Sequence, residues 1–302
     1  MPTPLAPLPL PDSPERPAPI GVFDSGIGGL SVLQALRAAL PHEDFVYFSD
    51  GAHAPYGERG DDFVLARSTA VARQLAESHG IKALVVACNT ATAAAIEDLR
   101  ARHPALPLVG VEPALKPAVA ASRTRRVGVA ATQGTLRSEK LQRLLASLAG
   151  QADFVLQPFT GLALALERSV AVDARDPDAL AASAREIDAL IRQNLADMGP
   201  FGAAPGQIDT LVLGCTHYPF AHQRFQALAG GQTLLLETGA PVARQTQRLL
   251  AAQGLLQPDT RHAGTVVLAS SGPLHVVQTA ARRWLGLDAA QLPQVLHAAP
   301  AA

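Results

Sequence analysis

Ala83-Leu84-Val85-Val86-Ala87-Cys88-Asn89-Thr90 and Thr210-Leu211-Val212-Leu213-Gly214-Cys215-Thr216-His217 are two versions of one pattern. Each is a short apolar run without polar alternation, which reads as a strand covered on both faces, as in a parallel sheet. Each ends in a cysteine followed at once by hydrogen-bonding residues. Upstream, Ile20-Gly21-Val22-Phe23-Asp24-Ser25 matches Val127-Gly128-Val129-Ala130-Ala131-Thr132 in the same way. The echo predicts two similar halves related by a pseudo-twofold axis around a shared cleft. Ligands of open α/β sheets bind at the carboxyl ends of the strands, where both cysteines then sit.

Outward from these runs, strands alternate with helical patterns, the signature of an α/β fold with parallel sheets wrapped by helices. Strands are expected at 20–23, 45–48, 82–87, 108–111, 127–130, 153–156, 209–213, 233–236 and 265–268. Helices are expected at 29–40, 62–79, 90–102, 136–148 and from Asp176, where Asp-Pro is a start signal. Leu180, Ala184, Ile187, Ile191 and Leu195 line one face of that last helix. Prolines 104, 107, 113 and 117 mark a crossing between halves near 111–116. The organisation read from this is two α/β domains. The first comprises 19–113 plus 236–302 and the second is inserted over 114–235; residues 1–18 form a flexible Pro-rich extension and about 294–302 a tail.

Composition narrows the function classes. The chain has 302 residues, 48% hydrophobic and 17% charged, with a formal net charge of −1. It is long enough to bury a large core without staples. Near-neutral charge argues against a nucleic-acid partner, which needs a basic footprint. No apolar run reaches the roughly 18 residues of a membrane span, so no membrane partner is expected. The Pro-rich start lacks the basic and apolar regions of a secretory signal, and a cytoplasmic location is expected. Two cysteines exclude a disulfide framework and a four-thiolate zinc site; no metal is expected.

A single cysteine closing an apolar strand is ordinarily a small buried hydrophobe. These two are the only ones in the chain, occupy one structural position twice, and keep polar company that packing does not require. A helix start beside each is expected to lower the thiol pKa. They could form a redox disulfide, but no Cys-x-x-Cys is present; they could bind a metal with His217 and Asp24, but paired ligand spacings are missing. As acid and base on opposite faces of one small substrate, they explain why the halves look alike. Asp24-Ser25-Gly26-Ile27-Gly28-Gly29 reads as a turn whose glycines supply positive φ, and it matches no phosphate-binding pattern. Asp24 and Ser25 suit an ammonium group or a neighbouring thiol. His217, directly after Cys215-Thr216, can relay that thiol's proton.

Together these stretches resemble the glutamate racemases of the aspartate/glutamate racemase family. The matching segments are 21–30, 47–57 with Pro55-Tyr56-Gly57, 86–91, 110–114, 127–135 and 213–219. The resemblance implies a cofactor-independent isomerase that makes D-glutamate for bacterial peptidoglycan, with glutamate as its small-molecule partner and a homodimer as the expected assembly. It implies that Cys88 and Cys215 are the catalytic acid/bases, assisted by Asp24 and His217 respectively. Asp24, Ser25, Tyr56, Gly57, Asn89, Thr90, Thr216 and His217 would hold the substrate, with Thr132, Thr135 and Glu167 as further candidates. The sequence departs from the family pattern at Gln157-Pro158, where Cys-Pro is expected, and at Glu237-Thr238-Gly239, where Asp-Ser-Gly is usual. Aspartate or another small acid, a covalent cysteine isomerase, and a silent amino-acid-binding protein remain the alternatives.

Overall fold

The structure, a computed structural model, describes residues 18–287 and 295–297; the Pro-rich stretch 1–17 lies outside the described residues. The strands are β1 (Ile20–Asp24), β2 (Phe45–Ser49), β3 (Ala83–Val86), β4 (Leu108–Gly110), β5 (Arg126–Ala131), β6 (Asp153–Pro158), β7 (Thr210–Gly214), β8 (Leu234–Leu236), β9 (Val266–Ser270) and β10 (Val295–His297). They form two sheets, ordered β10-β9-β2-β1-β3-β4 and β6-β5-β7-β8. Every strand pairing is parallel.

The two halves repeat residue by residue. Ile20 pairs with Ala83 and Phe45 in the first sheet, and Val127 pairs with Thr210 and Phe154 in the second. Leu84 pairs with Leu108 where Leu211 pairs with Leu235. β2-β1-β3-β4 and β6-β5-β7-β8 are therefore one unit built twice, in the register that the sequence echo anticipates. The first sheet is extended beyond β2 by β9 and β10.

Helices α1 (Leu30–Ala39), α2 (Asp61–His79), α3 (Asn89–Arg102), α4 (Leu115–Ala121), α5 (Gln133–Arg137), α6 (Glu139–Ser147), α7 (Leu162–Val170), α8 (Pro177–Met198), α9 (His222–Ala229), α10 (Gly239–Ala252) and α11 (Leu274–Leu285) cover both faces of each sheet. Alternate residues of β1 go to opposite cores: Ile20 and Val22 pack with α1, α10 and α11, and Phe23 with α2 and α3. In the second sheet Leu211 and Leu213 pack with α7, α8 and α9, and Val212 with α4 and α6. None of the helices among the described residues is long and apolar enough to cross a membrane.

Several elements differ from the sequence reading. The crossing expected near 111–116 contains a helix, α4, with Pro117 in its first turn, where a missing N–H breaks no helical bond. The helix expected at 136–148 is two: Ser138 closes α5 by donating to the Thr135 carbonyl and caps α6 by accepting from the Leu141 N–H. The expected tail carries β10, whose three residues are too short a run to stand out among Ala and Pro.

Phe159, Tyr218 and Phe225 fill the core of the second half, all fully buried, with ring centroids 5.6–5.8 Å apart. Phe225→Ala removes the ring that contacts both others, and should cost about 3–5 kcal/mol. Thermal unfolding followed by circular dichroism will show this as a lowered midpoint, whereas an unchanged midpoint would mean the cluster is not part of the cooperative core.

Candidate functional site

The carboxyl ends of the central strands carry the candidate residues. β1 ends at Asp24, β3 leads to Cys88, β5 to Thr132 and β7 to Cys215. Contacts between the halves bring these ends together. The Ser31 hydroxyl donates to the Thr216 carbonyl at 2.8 Å, and the Thr90 and Thr132 hydroxyls meet at 3.1 Å. The Ile27 N–H donates to Glu167 Oε1 at 2.7 Å.

Cys88 caps α3, its sulfur accepting from the Ala91 N–H at 3.4 Å, and its thiol points to the Ser25 hydroxyl at 3.9 Å. The lowered thiol pKa expected at this helix start is not what the environment produces. Burial and the Asp24 charge push the Cys88 thiol well up, outweighing the Ala91 N–H. Cys88 is therefore held as the neutral thiol. Both cysteines are free and buried.

Asp24 is fully buried; one carboxyl oxygen accepts from the Gly29 N–H at 2.8 Å and the Gly26 N–H at 3.4 Å. Its other oxygen has no partner. Burial raises the Asp24 pKa, and the positive His217 and the Gly29 N–H only partly offset that. Asn89 is also buried, with both polar atoms of its side chain unpartnered. Buried polar atoms without partners are costly, so this wall of the cleft is built for a polar ligand.

On the opposite wall, His217 Nδ1 lies 3.7 Å from Cys215 Sγ and Nε2 lies 2.7 Å from Glu167 Oε1. Burial alone would lower the His217 pKa. Its hydrogen bonds to Cys215 and Glu167, and the charges behind them, raise it well above the ordinary value instead. Glu167, a further candidate from the sequence, is thus the partner that orients and charges His217.

Gly26, Gly28 and Gly29 are not among the residues with positive φ, contrary to the turn reading. They are required for space. A Cβ at residue 26 would stand 1.8 Å from Glu167 Oε1, and one at residue 28 would stand 2.4 Å from His217 Nδ1 and 2.7 Å from Thr216 Oγ1. Gly57 plays the same part against Thr132, where an added Cβ would meet Thr132 Cβ at 2.7 Å.

Tyr56 is fully buried and its hydroxyl donates to Asp50 at 2.5 Å, so that hydroxyl is already committed to the scaffold. Asp50, missed by the sequence reading, also accepts both Arg67 donors and the Ser271 hydroxyl. Burial would raise its pKa, but these bonds and the Arg67 charge hold it below the ordinary range. The Thr132 hydroxyl caps α5 and donates to the Thr135 hydroxyl at 3.0 Å, placing both threonines beside Thr90. Among the described residues, no group of three or more His, Cys, Asp or Glu side chains is arranged to hold a metal ion.

His217 titration follows from this geometry. Its folded pKa lies above the unfolded value of about 6.5, so its stabilising contribution is full below that pH and is lost as pH rises through the folded pKa. Glu167→Gln should lower the His217 midpoint by about one unit or more, read by NMR of the imidazole. The stability gap between wild type and variant should be widest below pH 6.5. An unmoved midpoint would mean that Glu167 does not set the charge on His217.

Residues 20–246 match the Asp/Glu/Hydantoin racemase family. A glutamate racemase of Ralstonia pickettii is 46% identical over 269 residues, covering 89% of this chain and 88% of that protein. Among solved structures, a glutamate racemase isoform from Bacillus anthracis superposes with a TM-score of 0.78 at 27% identity, covering 94% of this chain and 98% of the other. A Thermus thermophilus glutamate racemase gives 0.72 at 33% identity, covering 94% and 97%. With its doubled sheet and paired strand-end cysteines, this chain belongs to the Asp/Glu/Hydantoin racemase family.

Proposed function

We propose that this protein interconverts L- and D-glutamate without a cofactor, with Cys88 and Cys215 as acid and base on opposite faces of the substrate Cα. The observation that carries the reading is that the two cysteines stand at equivalent positions of a doubled fold, each beside its own proton-handling group. Relatives along most of the chain are glutamate racemases, which supports glutamate as the substrate. Aspartate serves as the specificity control.

The two sides are poised differently. Cys88 is held as the thiol, ready to donate. His217 is held protonated with Nδ1 facing Cys215, so the imidazolium stands beside the sulfur that must be anionic to take the α-proton, and can return a proton to it for the reverse reaction. In one direction the Cys215 sulfur takes the α-proton, the electron pair remains on the substrate, and the Cys88 thiol delivers its proton to the other face. The reverse reaction needs Cys88 deprotonated, and Asp24, with its raised pKa, can take that proton. Asn89, Thr90 and Thr216 supply donors for the charge that develops on the carboxylate. The free oxygen of Asp24 and the Ser25 hydroxyl suit the ammonium group, whose positive charge offsets the carboxylate that otherwise keeps Cys88 neutral. Thr132 and Thr135, and the backbone of Tyr56 and Gly57, complete the wall nearest the second half.

The same reading gives the protein a role in the bacterial cytoplasm, supplying D-glutamate for peptidoglycan, and treats 19–113 plus 236–302 and 114–235 as two domains closing on substrate. A homodimer is the proposed assembly, checked by light scattering.

Incubation with L-glutamate in deuterated water should give loss of optical rotation with α-deuterium in the product. Cys88→Ser and Cys215→Ser should each lower racemisation of both enantiomers by about 10²–10⁴-fold. Full activity in either variant would eliminate the two-base mechanism, and absence of exchange in reduced wild-type protein would eliminate glutamate as substrate.

A further inference from the structure

Tyr47 stands beside the candidate chemistry and takes no part in the proton transfers. It lies in the middle of β2, fully buried, with its ring among the apolar side chains around α1. Its hydroxyl donates to the Gly26 carbonyl at 2.7 Å. Burial, with Asp24, Glu167 and Cys88 nearby, raises its pKa well above the ordinary value, so the group stays a neutral donor. Gly29 gives the hydroxyl its room: a Cβ there would stand 3.1 Å from the Tyr47 hydroxyl oxygen and 2.7 Å from Asp24 Cβ.

The doubled fold shows that packing does not call for this hydroxyl. Tyr47 pairs with Val22 in the first sheet, and the matching pair in the second sheet is Leu156 with Val129. The same place in the repeated unit is filled there by an apolar side chain packed on its own core. A buried phenol oxygen is costly unless it is hydrogen-bonded, and the bond it makes here is to the turn that carries the site.

What that bond fixes is a peptide plane. The Gly26 carbonyl and the Ile27 N–H belong to one trans peptide unit, so they share a plane and point in opposite directions. Tyr47 holds the carbonyl end, and the N–H end donates to Glu167 Oε1 at 2.7 Å. The same oxygen meets His217 Nε2 at 2.7 Å, and His217 Nδ1 faces Cys215. A chain of hydrogen bonds therefore runs from a tyrosine in the core of the first half to a sulfur in the second, each link polarising the next.

We propose that Tyr47 is a positioning residue for the Cys215 side of the reaction: by holding the Gly26–Ile27 peptide it sets where Glu167 stands, and so how His217 presents itself to Cys215. That the chain serves racemisation rests on the glutamate racemase reading; the chain itself rests on the geometry.

Tyr47→Phe in the full-length protein removes the hydroxyl and keeps the ring. It should lower kcat for both enantiomers about tenfold and change KM by less than about twofold, because the hydroxyl bonds none of the groups assigned to hold the substrate. In a Glu167→Ala background the same substitution should cost less than about twofold, since the partner it acts through is already gone. Equal losses in both backgrounds, or a wild-type kcat in Tyr47→Phe, would overturn the proposal. Failure of Tyr47→Phe to fold, read by circular dichroism, would overturn it as well, by making the hydroxyl a need of the fold. NMR reads the chain without turnover. Tyr47→Phe should move the Ile27 amide and the His217 ring resonances together, and should leave the His217 ring unmoved in the Glu167→Ala background. A His217 ring that does not respond to Tyr47→Phe would overturn the chain. Resonances that move as expected in a protein that incorporates no α-deuterium would uphold the hold of Tyr47 on Glu167 and His217 and overturn the racemase reading.

Discussion

A single carboxylate oxygen, Oε1 of Glu167, ties the two halves and the candidate chemistry together. It accepts from the Ile27 backbone in the first half and from His217 in the second, both at 2.7 Å. The approach is possible only because residues 26 and 28 carry no Cβ. The lack of a Cβ at two positions of one loop thus lets a carboxylate and an imidazole from the other half occupy its surface. The closing of the cleft, the orientation of His217 and the charge it carries all depend on that clearance.

The doubled architecture explains why the site is nearly symmetric, and the local environments explain why it is not fully so. Equal registers place Cys88 and Cys215 after equivalent strands. Around one sulfur stand Asp24, Ser25 and a helix start; around the other stand His217 and Glu167. Burial raises the pKa of the Asp24 carboxyl, and the contacts with Cys215 and Glu167 raise that of the His217 imidazole. A reaction that removes a proton from one face of a carbon and supplies one to the other suits this arrangement, in which one thiol is held neutral and the opposite sulfur faces an imidazolium.

Much of this was legible in the sequence, for identifiable reasons. Central parallel strands are buried on both faces, so 20–23, 83–86 and 210–213 are continuous apolar runs that cannot be taken for surface elements. Their repetition exposed the paired cysteines. What stayed hidden depends on long-range contacts. Glu167, named only through the family resemblance, lies on α7, a helix the periodicity did not mark, and its pairing with His217 fifty positions away was not legible. Asp50 sits next to a 3₁₀ turn and becomes significant only when Arg67 and Ser271 fold onto it. Gly26 and Gly28 read as turn residues because glycine usually marks positive φ, whereas here the reason for glycine is a neighbour from the other half. The Cys88 thiol was misjudged because a helix start is visible in sequence and burial beside Asp24 is not.

The central claim is that one substrate carbon is held between the two sulfurs. A crystal structure of the Cys88→Ser/Cys215→Ser variant with glutamate tests it most directly, since the bound enantiomer cannot be turned over. The account predicts glutamate in the cleft with its Cα between the two serine hydroxyls, one on each face at about 3.5 Å, and its carboxylate against Asn89. Glutamate bound with both hydroxyls on one face of Cα, or bound outside the cleft, would contradict it.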